Sequence, residues 1–190
     1  MDWLKEVFGT KKPVIGMIHV KSLPGTPLYD EKGGMKKVIN AAKLDYDALT
    51  EGGIDAVMFC NEYDKPYLHK VGPEVISAMT RIITDISQSG KTPFGVDLQW
   101  DPTASIAVAH ATGAVFVRGI FTGVYGSDLG LLNTRVSESL RFRRNIRANN
   151  VRLLFNIVPE FAAALGERPI EKVAKTVAVS SLADVICVSG

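Results

Sequence analysis

The chain has 190 residues, 46% of them hydrophobic and 22% charged, with a formal net charge of +2 at pH 7. Those values suit one globular domain of ordinary composition, are too small for two, and argue against a nucleic-acid binder. No apolar run approaches the ~20 residues needed to span a bilayer. The N-terminus lacks a basic segment followed by an apolar one, so no secretory signal is expected and the expected location is cytoplasmic.

In chain order, Leu4, Val7 and Phe8 fall at helical spacing before Gly9, which predicts a short helix bracing the domain. Residues 14–20 form the first predicted strand. Residues 35–51 read as a helix with Val38, Ala41, Ala42, Leu44, Ala48 and Leu49 on its apolar side, ended by Gly52 and Gly53. Residues 56–60 are the second strand. Residues 74–89 form a helix with Pro73 at its start, a stripe of Ile76, Met79, Ile83 and Ile86, and Gly90 as its stop. Residues 94–99 are the third strand. Asp101 as cap and Pro102 open a helix over 103–111. Residues 115–118 are the fourth strand, and 119–132 read as a flexible glycine-rich loop able to close over a ligand. A helix over 134–147, a fifth strand over 151–157, a helix over 169–181 and a sixth strand over 185–188 complete the chain.

The apolar runs rarely alternate, which favours strands buried on both faces in a parallel sheet with helices outside. Strand, loop and helix recur in order. This fits a doubly wound sheet or a (β/α)8 barrel. The last segment is a strand with no helix after it, so the barrel is expected to be a single incomplete domain over residues 1–190, truncated after about six strands. Cys60 and Cys187 end two apolar runs and read as buried thiols in a reducing compartment.

In either architecture, function gathers at the carboxyl ends of the strands. The polar residues there are His19, Asn61, Glu62, Asp97, Gln99, Trp100, Asp101, Arg118, Asn156 and Ser189. Each has a plainer role open to it. His19 could bond a backbone carbonyl, Glu62 could be a solvated loop charge, Asp101 could only cap a helix, and Asn156 could only satisfy backbone groups. Asp97, inside an apolar strand, needs a partner. Arg118 is the obvious one and would keep its carboxylate charged at neutral pH. His69 and His110 read as surface or packing residues. Arg135, Arg141, Arg143, Arg144 and Arg147 crowd one helix, either as a solvated basic face or as a site for an anionic partner. No phosphate-loop or dinucleotide fingerprint occurs, and His19, Glu62 and Asp97 lack the spacing of a known metal motif, so neither metal nor cofactor is expected.

Several stretches together carry a resemblance: Val14-Ile15-Gly16-Met17-Ile18-His19, Leu23-Pro24-Gly25, Asp55-Ala56-Val57-Met58-Phe59-Cys60-Asn61-Glu62, Pro93-Phe94-Gly95-Val96, Trp100-Asp101-Pro102, Phe121-Thr122-Gly123 and Leu154-Phe155-Asn156-Ile157. The chain resembles the BtpA family, and within it the SgcQ branch, along essentially its whole length. The resemblance implies a barrel of the ribulose-phosphate-binding type that continues well past residue 190. It also implies either a role in photosystem I biogenesis or, for the SgcQ branch, an association with sugar uptake.

Two functions follow. The first is an enzyme of carbohydrate metabolism acting on a small phosphorylated sugar by isomerisation, epimerisation or aldol-type cleavage. Glu62 or Asp97 would be the base, His19 the acid and Arg118 the electrostatic stabiliser, while Asn61, Gln99, Trp100, Asp101, Asn156 and Ser189 would bind substrate. No inward lysine ends a strand, which weighs against Schiff-base chemistry. The alternative is a non-catalytic assembly factor for a membrane-protein complex, working through an exposed surface. Apolar strands at both sheet edges predict association between copies. Phosphate-binding loops usually follow strands seven and eight of such barrels, so the 190-residue chain is expected to bind sugar phosphates weakly or not at all.

Overall fold

The computed structural model describes residues 3–88 and 90–189. Six strands form one parallel sheet: β1 (Ile15–His19), β2 (Ala56–Cys60), β3 (Phe94–Asp97), β4 (Phe116–Gly119), β7 (Arg152–Asn156) and β9 (Val185–Cys187), paired in that order. Between them run α2 (Gly34–Glu51), α3 (Pro73–Ser87), α4 (Pro102–Thr112), α5 (Val136–Asn145) and α6 (Ile170–Ser180), with α1 (Trp3–Phe8) before β1. Sequential parallel pairing with a helix between successive strands is the winding of a (β/α)8 barrel, here an arc of six strands with β1 and β9 at its edges.

The four inner strands are largely buried on both faces, and their two faces serve different cores. Val57, Phe59, Val96, Val117, Leu153 and Phe155 face the helices, in one cluster with Ile82, Ile83, Ile106 and Val108. Ala56, Met58, Phe116 and Leu154 point the other way, into the barrel, and are joined there by Phe8. The short N-terminal helix therefore plugs the interior at the amino ends of the strands. The Phe8 ring meets Phe116 edge-on at 5.9 Å. Phe116 has room only because β3 carries Gly95 beside it. A Cβ there would lie 2.1 Å from the Phe116 ring.

Helix boundaries follow the expected punctuation. Asp101 caps α4 by accepting from the Ala104 N–H, Pro102 occupies the first turn, and Gly113 ends the helix at φ 82°. Pro73 opens α3. The predicted end of that helix at Ser89 lies outside the described residues, as does Gly190. The apolar side of α2 differs from expectation. Val38, Ala42 and Tyr46 are buried, whereas Leu44 is 71% exposed and Ala48 is also on the surface. At 100° per residue, Leu44 falls on the face opposite Val38 and Ala42, and the aromatic Tyr46 completes the stripe instead.

The segment over 119–132 is not a flexible loop. It contains β5 (Val124–Ser127) and β6 (Gly130–Asn133), an antiparallel hairpin extended by β8 (Ala163–Ala164) into a second sheet. Tyr125 and Leu132, directly opposed in this ladder, are both buried and pack with Trp100, Tyr67 and Ile120. That apolar cross-strand pair folds the segment onto the barrel mouth, against the flexibility its glycines suggest. The arginine-rich helix is likewise only partly a solvated face. Arg143 bonds the Val151 carbonyl and pairs with Asp184 at 3.3 Å, while Arg152 holds the other Asp184 oxygen at 3.1 Å.

Candidate functional site

Strand alternation decides which polar residues meet. Ile15, Met17 and His19 stand opposite Ala56, Met58 and Cys60, and Cys60 stands opposite Asp97. Two residues beyond inward Phe116 comes Arg118, two beyond Leu154 comes Asn156, and two beyond Cys187 comes Ser189. The inward faces that are apolar at the plugged end thus turn polar together at the carboxyl ends.

The centre of this polar end is an ion pair. An Arg118 guanidinium nitrogen lies 3.2 Å from Asp97 Oδ2, with the Asp97 side chain 4% exposed and that of Arg118 29% exposed. Arg118 also reaches Ser189 Oγ at 3.5 Å, and that hydroxyl donates to Asn156 Oδ1 at 3.5 Å. Asn156 Oδ1 accepts the Val158 N–H as well. The expected partner of Asp97 is therefore present, but the direction of its pKa is the reverse of that expected from the cation alone. Burial outweighs the pull of Arg118, and with help from Glu62 it pushes the Asp97 carboxyl up to about 6.

A second cluster adjoins it. Glu62 Oε2 accepts from the Gln99 amide at 2.8 Å, and Oε1 accepts from the Tyr67 hydroxyl at 3.0 Å. The same Gln99 amide lies 3.2 Å from Cys60 Sγ, which in turn approaches Glu62 at 3.8 Å. Burial, then the Asp97 and Glu62 carboxylates, push the Cys60 thiol well above its usual range, so it is a neutral thiol. Burial and Glu62 also push the Tyr67 phenol up, which keeps it a hydrogen-bond donor. Cys187 is only partly buried.

The remaining candidates divide by what their polar atoms already hold. Asn61 is 2% exposed; it accepts the Gln99 N–H at 2.7 Å and donates to Asp64. Asp101 spends one oxygen on the Ala104 N–H and the other on the Val71 N–H, both at 3.0 Å. These two fix loops. Trp100 is buried with φ 68°, a left-handed backbone uncommon for so bulky a residue, and its indole stacks on His69 at 5.2 Å. His69 Nε2 is buried without a hydrogen-bond partner. His19 stands at the open β1 edge, exposed, beside Lys21 and Tyr63.

Sequence reasoning missed three participants. Asp64 ties the loop after β1 to the loop after β2 by accepting from the Leu23 N–H at 2.9 Å and from the Thr26 hydroxyl. Tyr67 and Phe161 face the same cavity as Glu62. All three lie in irregular segments where no periodicity marks an inward position.

That cavity, about 310 Å³, sits over the mouth and is lined by Glu62, Lys65, Tyr67, Trp100, Leu129 and Phe161 among others. A larger hollow, about 1060 Å³, lies elsewhere, between the antiparallel sheet and α6, and touches neither Glu62, Asp97 nor Arg118. Among the described residues, no group of three or more His, Cys, Asp and Glu is placed to hold a metal ion. None of their helices is long and apolar enough to cross a membrane.

Solved structures share this architecture at low identity. Dihydropteroate synthase from Vibrio fischeri ES114 superposes with a TM-score of 0.57 at 15% identity, over 94% of this chain and 62% of that one. The dihydropteroate synthase of Xanthomonas albilineans bound to 4-aminobenzoic acid superposes with a TM-score of 0.55 at 19% identity, over 94% and 61%. These likenesses show the barrel fold. Among curated proteins, the putative sgc region protein SgcQ of Escherichia coli K12 is 51% identical over 190 residues, covering 100% of this chain and 71% of its own length. The photosystem I biogenesis protein BtpA of Synechocystis is 33% identical over 98% of this chain and 65% of its own length. The chain thus spans about two thirds of each of these relatives. The BtpA family model matches residues 10–190, and on that match and those identities the chain belongs to the BtpA family.

Proposed function

We propose that the polar end of the barrel interior binds a small phosphorylated, sugar-like metabolite and moves a proton on it, in an isomerase, epimerase or lyase-type reaction. The observation that carries this is the Asp97–Arg118 pair: a buried carboxyl held at about 6, beside a guanidinium that is still partly open to the mouth. A base works best when its pKa lies near the working pH. Asp97 suits that role better than Glu62, which two donors already engage. Asp97 takes the proton from a carbon next to a carbonyl, and the electron pair moves onto the carbonyl oxygen. Arg118 stabilises the oxyanion so formed. In isomerisation the proton returns to the former carbonyl carbon while the neighbouring hydroxyl proton passes to the oxyanion, and in epimerisation a second acid protonates the same carbon from the opposite face. His19 is the candidate acid at the open edge. Gln99, Trp100, Asn156 and Ser189 contact the substrate, while Asn61 and Asp101 hold the loops that place them. Cytoplasmic carbohydrate metabolism is the setting this chemistry implies.

Deuterium exchange tests it. In D2O, ribose 5-phosphate or fructose 6-phosphate, held at high concentration because binding is expected to be weak, should acquire deuterium beside the carbonyl, at a rate at least about 100-fold lower with Asp97→Asn. No exchange into either compound, or an unchanged rate in the variant, would refute the proposal.

The name of the Synechocystis relative favours a second reading, assembly of a membrane complex. It needs no proton transfer. A Glu62→Gln/Asp97→Asn double variant that fully supports photosystem I biogenesis in a cell lacking the relative would favour assembly over catalysis.

A further inference from the structure

The cavity over the mouth has an unusual lining for a sugar-phosphate site. Three aromatic rings, Tyr67, Trp100 and Phe161, share it with the apolar Leu129 and Pro66. Its carboxylates are Glu62 and Asp128, beside the Ser127 hydroxyl, and among the described lining residues Lys65 is the one cation. The Lys65 side chain is 55% exposed and its ammonium lies 3.9 Å from Glu62 Oε1, an open and long pair that is worth little. Aromatic faces around a carboxylate attract an organic cation, because the ring quadrupoles and the negative charge act in the same direction.

Two independent features mark the lining as built for a ligand. Trp100 is held in left-handed backbone and braced from behind by the His69 ring, so its indole is fixed at some conformational cost. Phe161 is 74% exposed and Leu129 37% exposed, on separate segments facing one hollow. Apolar side chains converging on a concave polar floor are the usual form of a small-molecule subsite. The Glu62 carboxylate is also aimed by its neighbours: Tyr67 holds one oxygen and Gln99 the other.

We propose that this cavity is an aromatic cage for a protonated or quaternary amine. On the reading of the barrel interior given above, on which this point rests, the metabolite is then an amine-bearing sugar, its ammonium at Glu62 and its reacting carbons toward Asp97 and Arg118. Glu62 acts as the amine anchor and Asp97 as the base, which gives the two carboxylates separate tasks.

The test needs no phosphate. In a Trp3→Phe background, Trp100 is the sole tryptophan, since the chain has two. Its fluorescence is titrated with choline and its neutral isostere 3,3-dimethyl-1-butanol, and with glucosamine and glucose. Each amine should bind saturably and about tenfold or more tighter than its neutral counterpart. Glu62→Gln should reduce that preference to within about twofold, and Phe161→Ala, at an exposed position that costs little in folding, should weaken both amines. Equal binding of neutral and cationic probes, no response of Trp100 to either amine, or full amine affinity in Phe161→Ala would each overturn the cage. Amine preference without deuterium exchange in sugar phosphates would keep the cage and reject the proton-transfer reading; exchange without amine preference would do the reverse.

Discussion

The two ends of the barrel interior are built from the same strands and the same alternation, yet they do opposite things. At the amino ends Phe8, Ala56, Met58, Phe116 and Leu154 fill the space with apolar side chains. At the carboxyl ends the next inward positions are Cys60, Asp97, Arg118 and Asn156, where burial is tolerated only through mutual pairing. One end supplies stability. The other carries groups whose burial costs free energy unless they are paired.

If this division is right, substitutions at the plugged end should be the most damaging to folding. Phe116→Ala removes a fully buried ring from contact with Phe8 and should destabilise by about 3–5 kcal/mol, measured by denaturant unfolding. A loss under about 1 kcal/mol would show that the plug is not a packed core.

At the polar end the signature should be pH dependence. Asp97 titrates at about 6 folded and near 3.8 unfolded, so the folded state binds its proton more tightly. The resulting stabilisation is fully present below pH 3.8 and is lost as pH rises through about 6. Asp97→Asn lacks this loss. Its stability relative to the native chain should therefore improve by about 3 kcal/mol between roughly pH 3 and pH 8, because a tenfold change in proton affinity is worth about 1.36 kcal/mol. A pH-independent difference would mean that Arg118 compensates burial completely.

Smaller effects should separate loop anchors from ligand contacts. Asp101→Ala loses the α4 cap and the bond to the Val71 N–H, and should cost about 2 kcal/mol in thermal or denaturant melts. Glu62→Gln keeps the shape of the side chain and should change stability by less than about 1 kcal/mol, while abolishing the amine preference. A large folding defect in Glu62→Gln would move it to the structural side of the comparison.

Much of the frame was legible because strand and helix periods are local. The strand over residues 56–60, the Asp101-Pro102 helix start and the alternation linking Asp97 to Arg118 all follow from spacing. Three things were not. The hairpin over 124–133 was hidden because its fold depends on one cross-strand pair, Tyr125 with Leu132, and on docking against Trp100, whereas its glycines are what a sequence shows first. The aromatic walls were hidden because Tyr67 and Phe161 lie on irregular segments far apart in the chain. The rise of the Asp97 pKa to about 6 was not legible, because an expected cation can be seen in a sequence but the depth of burial that outweighs it cannot.

The central claim is that ligand binding belongs to the polar end alone. Backbone and side-chain amide NMR of the isotope-labelled chain, titrated with ribose 5-phosphate to millimolar concentration, tests it most directly. The account predicts shifts concentrated on Asn61, Gln99, Asn156, Ser189 and the Arg118 side chain, with Phe8, Met58 and Phe116 unmoved. Shifts confined to the groove between the antiparallel sheet and α6, or no shifts at the strand ends, would contradict it.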